Sequence, residues 1–526
     1  MASEMGKLEV IFYVSSCGVC LFFLSFLINF FRKVWWIPIH TQSMMRSQGI
    51  QGPAYRFYHG NTTEIINAAT HHVFSNPNEL SHHNVFSTVL PHISSWVKLY
   101  GMNYLSWHGP RAHMVVTEPD LVKEIFNNKD GAFPKVELDE YFKKLVGDGI
   151  ATTRGEKWYT LRKLSNHAFH AECLKGMIPA MIASVETMLE RWKCREDKEI
   201  EAFQEFKVLT SDVISRTAFG SSYLEGQHIF DMLTQMAVII TRNKYKVRIP
   251  AVSNLVKTAD DVESDKLEQG IRNSIVNMMK RREDAAIMSQ SSDSFGSDFL
   301  GLLLKAHHDD DDPDSRISAE DVIDECKTFY VAGHETTASS ITWTIFLLAL
   351  HTDWQHEARK EVLEFFGCQN PTPDGLVRLK IMNMIINEAL RLYPPVVIVP
   401  RQVLKQVSLG KLKLPENMVI EIPVLAIHHN SQLWGEDAHL FNPKRFAEGV
   451  AKATNNNVAA YLPFGLGPRT CVGSNFAVTE TKIALSMILQ RYQFTLSPTY
   501  VHSPVPLITM CPQHGLQIML QPLHLG

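Results

Sequence analysis

Apolar positions follow three regimes along this chain. From Val10 to Phe31 no residue is charged. As a helix rising about 1.5 Å per residue, that run is about 33 Å long and matches the hydrocarbon core of a bilayer. From Glu118 onward, apolar residues mostly recur three and four apart, the period of a helix with one buried face. Short β-forming stretches bounded by Gly, Pro or Asn turns occur at Met114–Thr117, Val403–Leu414, Met418–Pro423 and Leu507–Gln521. The pattern predicts a mainly α chain with small β-sheets (α+β). Ile37 to Gly60 is polar and punctuated by Pro38, Gly49, Gly52 and Pro53, so it reads as an irregular linker. Ser289–Ser297 and Asp309–Asp312, the latter ahead of Pro313, read as solvated loops; the acidic run lacks the alternating ligands of a calcium loop.

The flanks of the apolar run set its orientation. Glu4, Lys7 and Glu9 precede it, while Arg32 and Lys33 follow. Positive charge on the C-terminal side places the remaining chain in the cytosol, with Trp35 and Trp36 at headgroup level. The run is too long for a signal peptide and no basic segment leads it. The expected plan is therefore an anchor over residues 1–36 (spanning about 10–31), a linker over 37–60 and the globular part of the chain over 61–526. Asn61-Thr62-Thr63 then matches a glycosylation sequon by chance, on the wrong side of the membrane.

Charge and cysteines narrow the class. A net charge of −4 from 51 basic and 55 acidic side chains offers no footprint for nucleic acid. The 8 cysteines show no disulfide-framework spacing, which fits a reducing compartment. Cys17-Gly18-Val19-Cys20 lies inside the apolar run and carries little weight as a redox or zinc motif. The pairs His71-His72, His82-His83, His307-His308 and His428-His429 point neighbouring rings in different directions and read as solvated.

Three constellations carry chemistry. In Phe464-Gly465-Leu466-Gly467-Pro468-Arg469-Thr470-Cys471-Val472-Gly473, Gly467 permits a tight turn that presents one thiolate. The helical pattern Asn475–Tyr492 follows, so the sulfur sits near a helix N-terminus that favours the anion. Gly473 leaves room for a flat cofactor. In a helix capped by Ser318 and running to about Leu350 lies Ala332-Gly333-His334-Glu335-Thr336-Thr337. There the Thr336 hydroxyl can bond the Ala332 carbonyl, giving a groove of small residues beside an acid and a hydroxyl. Glu388-Ala389-Leu390-Arg391 puts Glu388 and Arg391 on one helix face, followed by Leu392-Tyr393-Pro394-Pro395 and, further on, Arg445. Trp158 and Arg162 are four apart; Arg401 follows Pro400.

The cysteine decapeptide, with its Phe, Gly, Arg, Cys and Gly, resembles the ligand signature of the cytochrome P-450 family. The acid–threonine hexapeptide, the E-x-x-R and Trp158/Arg162 occur in that family's order. Gln48-Gly49-Ile50-Gln51-Gly52-Pro53 resembles the hinge of the plant clan that contains secologanin synthase and hormone-hydroxylating enzymes. The resemblance implies the P-450 fold with a single N-terminal transmembrane helix in the endoplasmic-reticulum membrane. It implies haem b with Cys471 as axial iron ligand, and Phe464, Gly467 and Gly473 around the cofactor. Arg469, Trp158, Arg162 and Arg401 would meet the haem propionates. Thr336 is assigned to dioxygen and Glu335 to a proton relay. Glu388, Arg391 and Arg445 would form a network that holds the cysteine loop.

The implied reaction is insertion of one oxygen atom of O2 into a hydrophobic small molecule. No dinucleotide-binding motif and no room for a flavin module are present, so NADPH electrons would come from a separate membrane-bound P-450 reductase. Arg154, Lys157, Arg162 and Lys163 are candidates for its docking face. Family substrate-lining regions fall at 135–149, 232–245, 329–332, 396–399 and 505–510. The alternatives are a haem-thiolate peroxide isomerase or dehydratase that needs no reductase, and a non-catalytic haem-binding protein.

Overall fold

Helices carry the architecture, and one of them organises the rest. The computed structural model describes residues 2–70, 83–195, 198–244, 257–289, 295–309 and 316–523. His71, His72, His82, Tyr245, the middle of the 289–297 loop and the acidic run from residue 310 lie outside them. The organising helix is Ala319–Leu350. A capping box starts it: Asp321 N–H donates to Ser318 Oγ at 3.1 Å, and Ser318 N–H donates to Asp321 Oδ2 at 2.8 Å. From Val322 onward nearly all its faces are buried, as expected for a helix through the middle of a large core. Helices Ala202–Phe219, Lys380–Leu392 and Ser474–Arg491 pack against it.

Strands are short and peripheral. In chain order they are β1 (Asn103–His108), β2 (Arg111–Val116), β3 (Glu199–Glu201), β4 (Val399–Gln402), β5 (Val407–Leu409), β6 (Leu412–Leu414), β7 (Val419–Ile422), β8 (Tyr492–Leu496), β9 (Pro504–Pro506), β10 (Met510–Pro512) and β11 (Gln517–Pro522). The largest sheet runs β1-β2-β7-β4, with β2 and β7 parallel and the other pairs antiparallel. A second sheet runs β3-β11-β8, and β5-β6 and β9-β10 form two-stranded pairs. The β-forming stretches predicted from sequence coincide with β2, β5–β6, β7 and β10–β11. β1 escapes the sequence pattern because its four central residues are all buried, which erases the in–out alternation of a half-exposed strand.

The linker expectation fails over its first half. Ala2–Phe31 is helical, Arg32–Trp36 continues as a π-turn, and Ile37–Ser47 is a helix rather than an irregular segment. Pro38 sits in the first turn of that helix, where a missing N–H does no harm. Val34, Pro38, Thr41 and Met45 form a buried stripe at helical spacing, and Met45 packs with Ile50, Tyr55 and Trp107. Irregular chain begins only at residue 48. Upstream, residues 12–31 are uniformly exposed apolar helix, long and apolar enough to cross a membrane. The sequon residue Asn61 is fully buried, its amide donating to the Ala54 carbonyl at 3.2 Å and Glu64 Oε2 at 2.8 Å.

Candidate active site

The cysteine loop is built by its glycines and closed by its own backbone. Gly465 and Gly467 adopt φ of 74° and 72°, conformations that glycine takes without strain. Thr470 N–H donates to the Gly467 carbonyl at 3.0 Å, and Cys471 N–H to the Phe464 carbonyl at 2.9 Å. A Cβ on Gly467 would lie 2.4 Å from the Phe126 carbonyl oxygen. Gly467 therefore shapes the loop from behind and does not line the cavity in front of it, contrary to its expected place around a cofactor. Phe464, Gly465 and residues 469–473 do line that cavity. The helix expected over 475–492 is Ser474–Arg491.

Cys471 lines the cavity and is exposed there, although the cavity itself lies deep among protein groups. Burial pushes its pKa up; the Gly473 amide, Arg162 and Lys135 pull the other way without reversing the shift. A coordinated metal ion would deprotonate it outright. A Cβ on Gly473 would meet nothing within 4 Å, so the cavity is open beside that backbone.

Cations ring the same cavity. The Arg469 guanidinium stacks 4.1 Å from the Trp158 ring centre and donates to the Thr153 carbonyl at 2.9 Å. Arg162, one helical turn beyond Trp158, donates to the Thr470 carbonyl at 2.5 Å. Arg401 enters from β4, lies 4.8 Å from the Phe126 ring centre and donates to its neighbour's carbonyl at 2.9 Å. Lys135 is a fourth cation, which the sequence marked only as the start of a lining region; it follows Pro134 in a loop with no period to read. Burial lowers Lys135 to about 7, with Arg401 and Arg469 adding repulsion. Burial likewise lowers Arg401 and Arg469 to about 10. Four cations held against apolar walls call for anions between them. One thiolate-forming sulfur, an open slot and a ring of donors suited to two carboxylates fit haem b.

The central helix forms the opposite wall. Thr336 Oγ donates to the Ala332 carbonyl at 2.6 Å, the bond the sequence predicts, and both residues line the cavity with Phe329, Gly333 and Thr337. Gly333 also lets a neighbouring helix approach, since a Cβ there would meet the Ile214 side chain at 2.7 Å. Glu335 departs from expectation. It does not line the cavity, and its carboxylate pairs with Lys207 at 3.1 Å, with His334 Nδ1 at 3.8 Å. Burial raises the Glu335 pKa, but His334 and Lys207 outweigh it and the net shift is downward. Successive helix residues point about 100° apart; Thr336 and Thr337 fall on the arc that faces the slot, and Glu335 falls outside it.

Of the substrate-lining regions, Lys135, Phe329, Ala332, Val396 and Val399 reach the cavity. Residues 232–244 and 505–510 do not. Met232, Leu233 and Met236 face the main core, and the Met510 carbonyl is held by Ser339 Oγ at 2.6 Å and Trp343 Nε1 at 2.9 Å. The basic docking face is also mostly engaged inside the domain. Lys157 pairs with Asp321 at 2.7 Å and Asp148 at 3.2 Å, Arg154 donates to the Lys135 carbonyl, and Arg162 turns to the cavity. Lys163 is exposed.

Glu388, Arg391 and Arg445 meet as expected. Arg391 grips Glu388 through two 2.7 Å bonds and donates to the His428 and Ala438 carbonyls at 2.9 and 2.6 Å. Arg445 reaches Glu388 at 3.3 Å and Asp437 at 2.6 Å. The link to the cysteine loop is His428, which sequence alone places in solvent. It is fully buried; its Nδ1 donates to the Arg391 carbonyl at 3.2 Å and its Nε2 accepts from Leu462 N–H at 2.8 Å. His83 is buried too, against Tyr393 at 3.1 Å.

Comparison with known proteins agrees with this geometry. The family model described as "Cytochrome P450" matches residues 86–519. The Panax ginseng protein "Cytochrome P450 CYP749A22" is 57% identical, the alignment covering 99% of this chain and 98% of that one. "11-oxo-beta-amyrin 30-oxidase" of Glycyrrhiza uralensis is 40% identical, covering 94% of each. "Cytochrome P450 734A1" of Arabidopsis thaliana is 39% identical, covering 93% of each. Among solved structures, "Retinoic acid bound cyanobacterial CYP120A1" shares the fold with a TM-score of 0.74 at 21% identity, covering 90% of this chain and 99% of that one. With its thiol, its ring of cations and its helix hydroxyl on one cavity, this chain belongs to the cytochrome P-450 family and is an oxidoreductase of the monooxygenase class.

Proposed function

We propose that this enzyme hydroxylates a hydrophobic small molecule, with Cys471 as the thiolate that would hold the iron of haem b and with NADPH electrons delivered by a separate membrane-bound P-450 reductase. The observation that carries the reading is that Cys471 and Thr336 line one cavity whose other walls are largely apolar. Bound there, haem supplies the reductive activation of O2. The chain's own residues do the rest. The Gly473 amide and the helix N-terminus favour negative charge on Cys471 Sγ. Arg162, Arg401, Arg469 and Lys135 line the cavity and would neutralise the cofactor's carboxylates, and Trp158 holds Arg469 in place. With its proton on the Ala332 carbonyl, the Thr336 oxygen keeps lone pairs to accept a hydrogen bond from the cavity side. Glu335 relays protons from behind the helix: its pair with Lys207 holds it ionised, and opening that pair lets it take up a proton and pass it on. Apolar walls at Phe329, Val396 and Val399 exclude water.

The N-terminal helix acts in this reading as a single-pass anchor in the endoplasmic-reticulum membrane, the catalytic domain being cytosolic. The helix 37–47 then packs at the domain's base, so the boundary between anchor and domain falls near residue 34. The name of one relative says that it oxidises 11-oxo-beta-amyrin, which makes polycyclic terpenoids the first compounds to try.

The test is reconstitution with a plant P-450 reductase and a panel of lipophiles. Substrate-dependent NADPH use with a hydroxylated product supports the proposal. Turnover of a hydroperoxide without NADPH favours the isomerase reading. Haem binding with neither activity favours a carrier.

A further inference from the structure

A carboxylate in the middle of a buried strand is unfavourable unless its surroundings compensate it. β7 reads Val419-Ile420-Glu421-Ile422, and all four residues are buried. A lone buried carboxylate costs several kcal/mol unless it is met by charge or hydrogen bonds. What meets Glu421 is histidine. His113 Nδ1 lies 2.7 Å from Glu421 Oε1, and the His108 ring stacks on His113 with centres 3.8 Å apart.

Sheet register places the three on one face. Val115 of β2 pairs with Glu421 of β7, and Ser106 of β1 pairs with His113 of β2. Alternate residues share a face, so His108, His113 and Glu421 project together from three adjacent strands. Each offers a ligand atom, and those atoms lie within 4.8 Å of one another. His92, in the first turn of the helix Pro91–Tyr100, is within electrostatic reach of Glu421 and His108. Lys244 reaches His92 and His108 and opposes a cation there. None of these residues lines the haem cavity.

We propose that His108, His113 and Glu421 form a zinc-type divalent metal site that staples β1, β2 and β7. Two imidazoles and one carboxylate are an established zinc ligand set, leaving a fourth position for water or a nearby imidazole such as His92. Metal bonds of about 2.1 Å put tetrahedral ligands about 3.4 Å apart. The 2.7 Å His113–Glu421 contact opens by several tenths of an ångström when the ion replaces the proton between them. The remaining ligand atoms, within 4.8 Å of one another, close toward the same spacing as the side chains turn to the ion. β4, which carries Arg401, pairs with β7, so the staple also stiffens the sheet that presents a haem-facing cation.

The competing reading is a simple buried His–Glu ion pair. The test uses full-length, tag-free holoprotein in detergent, carrying His307→Ala and His308→Ala. Those changes remove the second, more exposed trio found among the described residues, with Glu283. After dialysis against zinc chloride and then metal-free buffer, elemental analysis should find about one zinc per haem iron. Glu421→Gln keeps the shape and a hydrogen bond to His113, and it should lose the zinc while keeping the haem spectrum. Zinc should raise the melting temperature of the parent and not of the variant. Should Glu421→Gln fail to fold, His108→Phe replaces it, with the same expected loss. Less than a tenth of a zinc per haem in the folded parent, or equal zinc in parent and folded variant, overturns the proposal.

Discussion

Two glutamates on two helices show how differently one residue type is used. Glu388 is fully buried and met by two arginines and the Asn442 amide. Both guanidinia are spread over further carbonyls, so little in that network can move without leaving a charge bare. Glu335 has one close partner, Lys207, and one distant one, His334. The first arrangement fixes a loop; the second holds a charge that a single broken contact releases. A saturated network suits scaffolding, and a sparsely held acid beside a reactive cavity suits proton traffic.

The comparison breaks most visibly at Arg391. Arg391→Leu strands Glu388 inside the core and should cost about 3–5 kcal/mol, read as loss of haem-loaded protein and a lower melting temperature. Arg391→Lys should recover little, because a point charge cannot reproduce the two-pronged grip. On the other helix, Thr336→Ala should leave fold and haem intact while product per NADPH falls several-fold and peroxide rises. Fully coupled turnover in that variant would remove Thr336 from the mechanism.

Lys207→Met sharpens the contrast further. With its folded pKa held below the ordinary 4.5, Glu335 gains stability from the pair above that pH and loses it as pH falls through the folded value. The melting difference between parent and Lys207→Met should therefore be present at neutral pH and shrink in acid. Turnover in the variant should also shift its pH profile, as the acid's pKa rises without its cation. A purely structural pair would leave that profile unmoved.

Glu325, a buried acid on the central helix, tests a carboxylate on which burial is the leading influence. Its carboxylate accepts from Ile150 N–H, and burial raises its pKa to about 8. It stays protonated in the fold while the unfolded chain ionises above its ordinary 4.5. Stability from this group therefore declines as pH rises from the ordinary value to about 8. Glu325→Gln should flatten that decline, measured as melting temperature against pH.

Sequence made the local devices legible. The cysteine loop, the Ser318 cap, the Thr336 back-bond and the Glu388–Arg391 pair each depend on residues within a few positions, where spacing dictates contact. Partners that meet only through tertiary packing left no such trace. Lys207, Lys135 and His428 come from separate elements, and no period links them to Glu335, Arg469 or Leu462. The helix 37–47 was hidden for another reason. Pro38 reads as a breaker, although in a first turn it is harmless, and the stripe it belongs to begins in the π-turn before it. His108, His113 and Glu421 lie on three strands with no common motif, on a face whose polarity contradicts its burial.

The central claim is the bond between Cys471 and the haem iron, and the reduced carbon-monoxide spectrum tests it most directly. The parent protein should give the thiolate-type band, and Cys471→Ser should abolish it. A Cys471→Ser protein that binds haem and keeps that band unchanged would contradict the account.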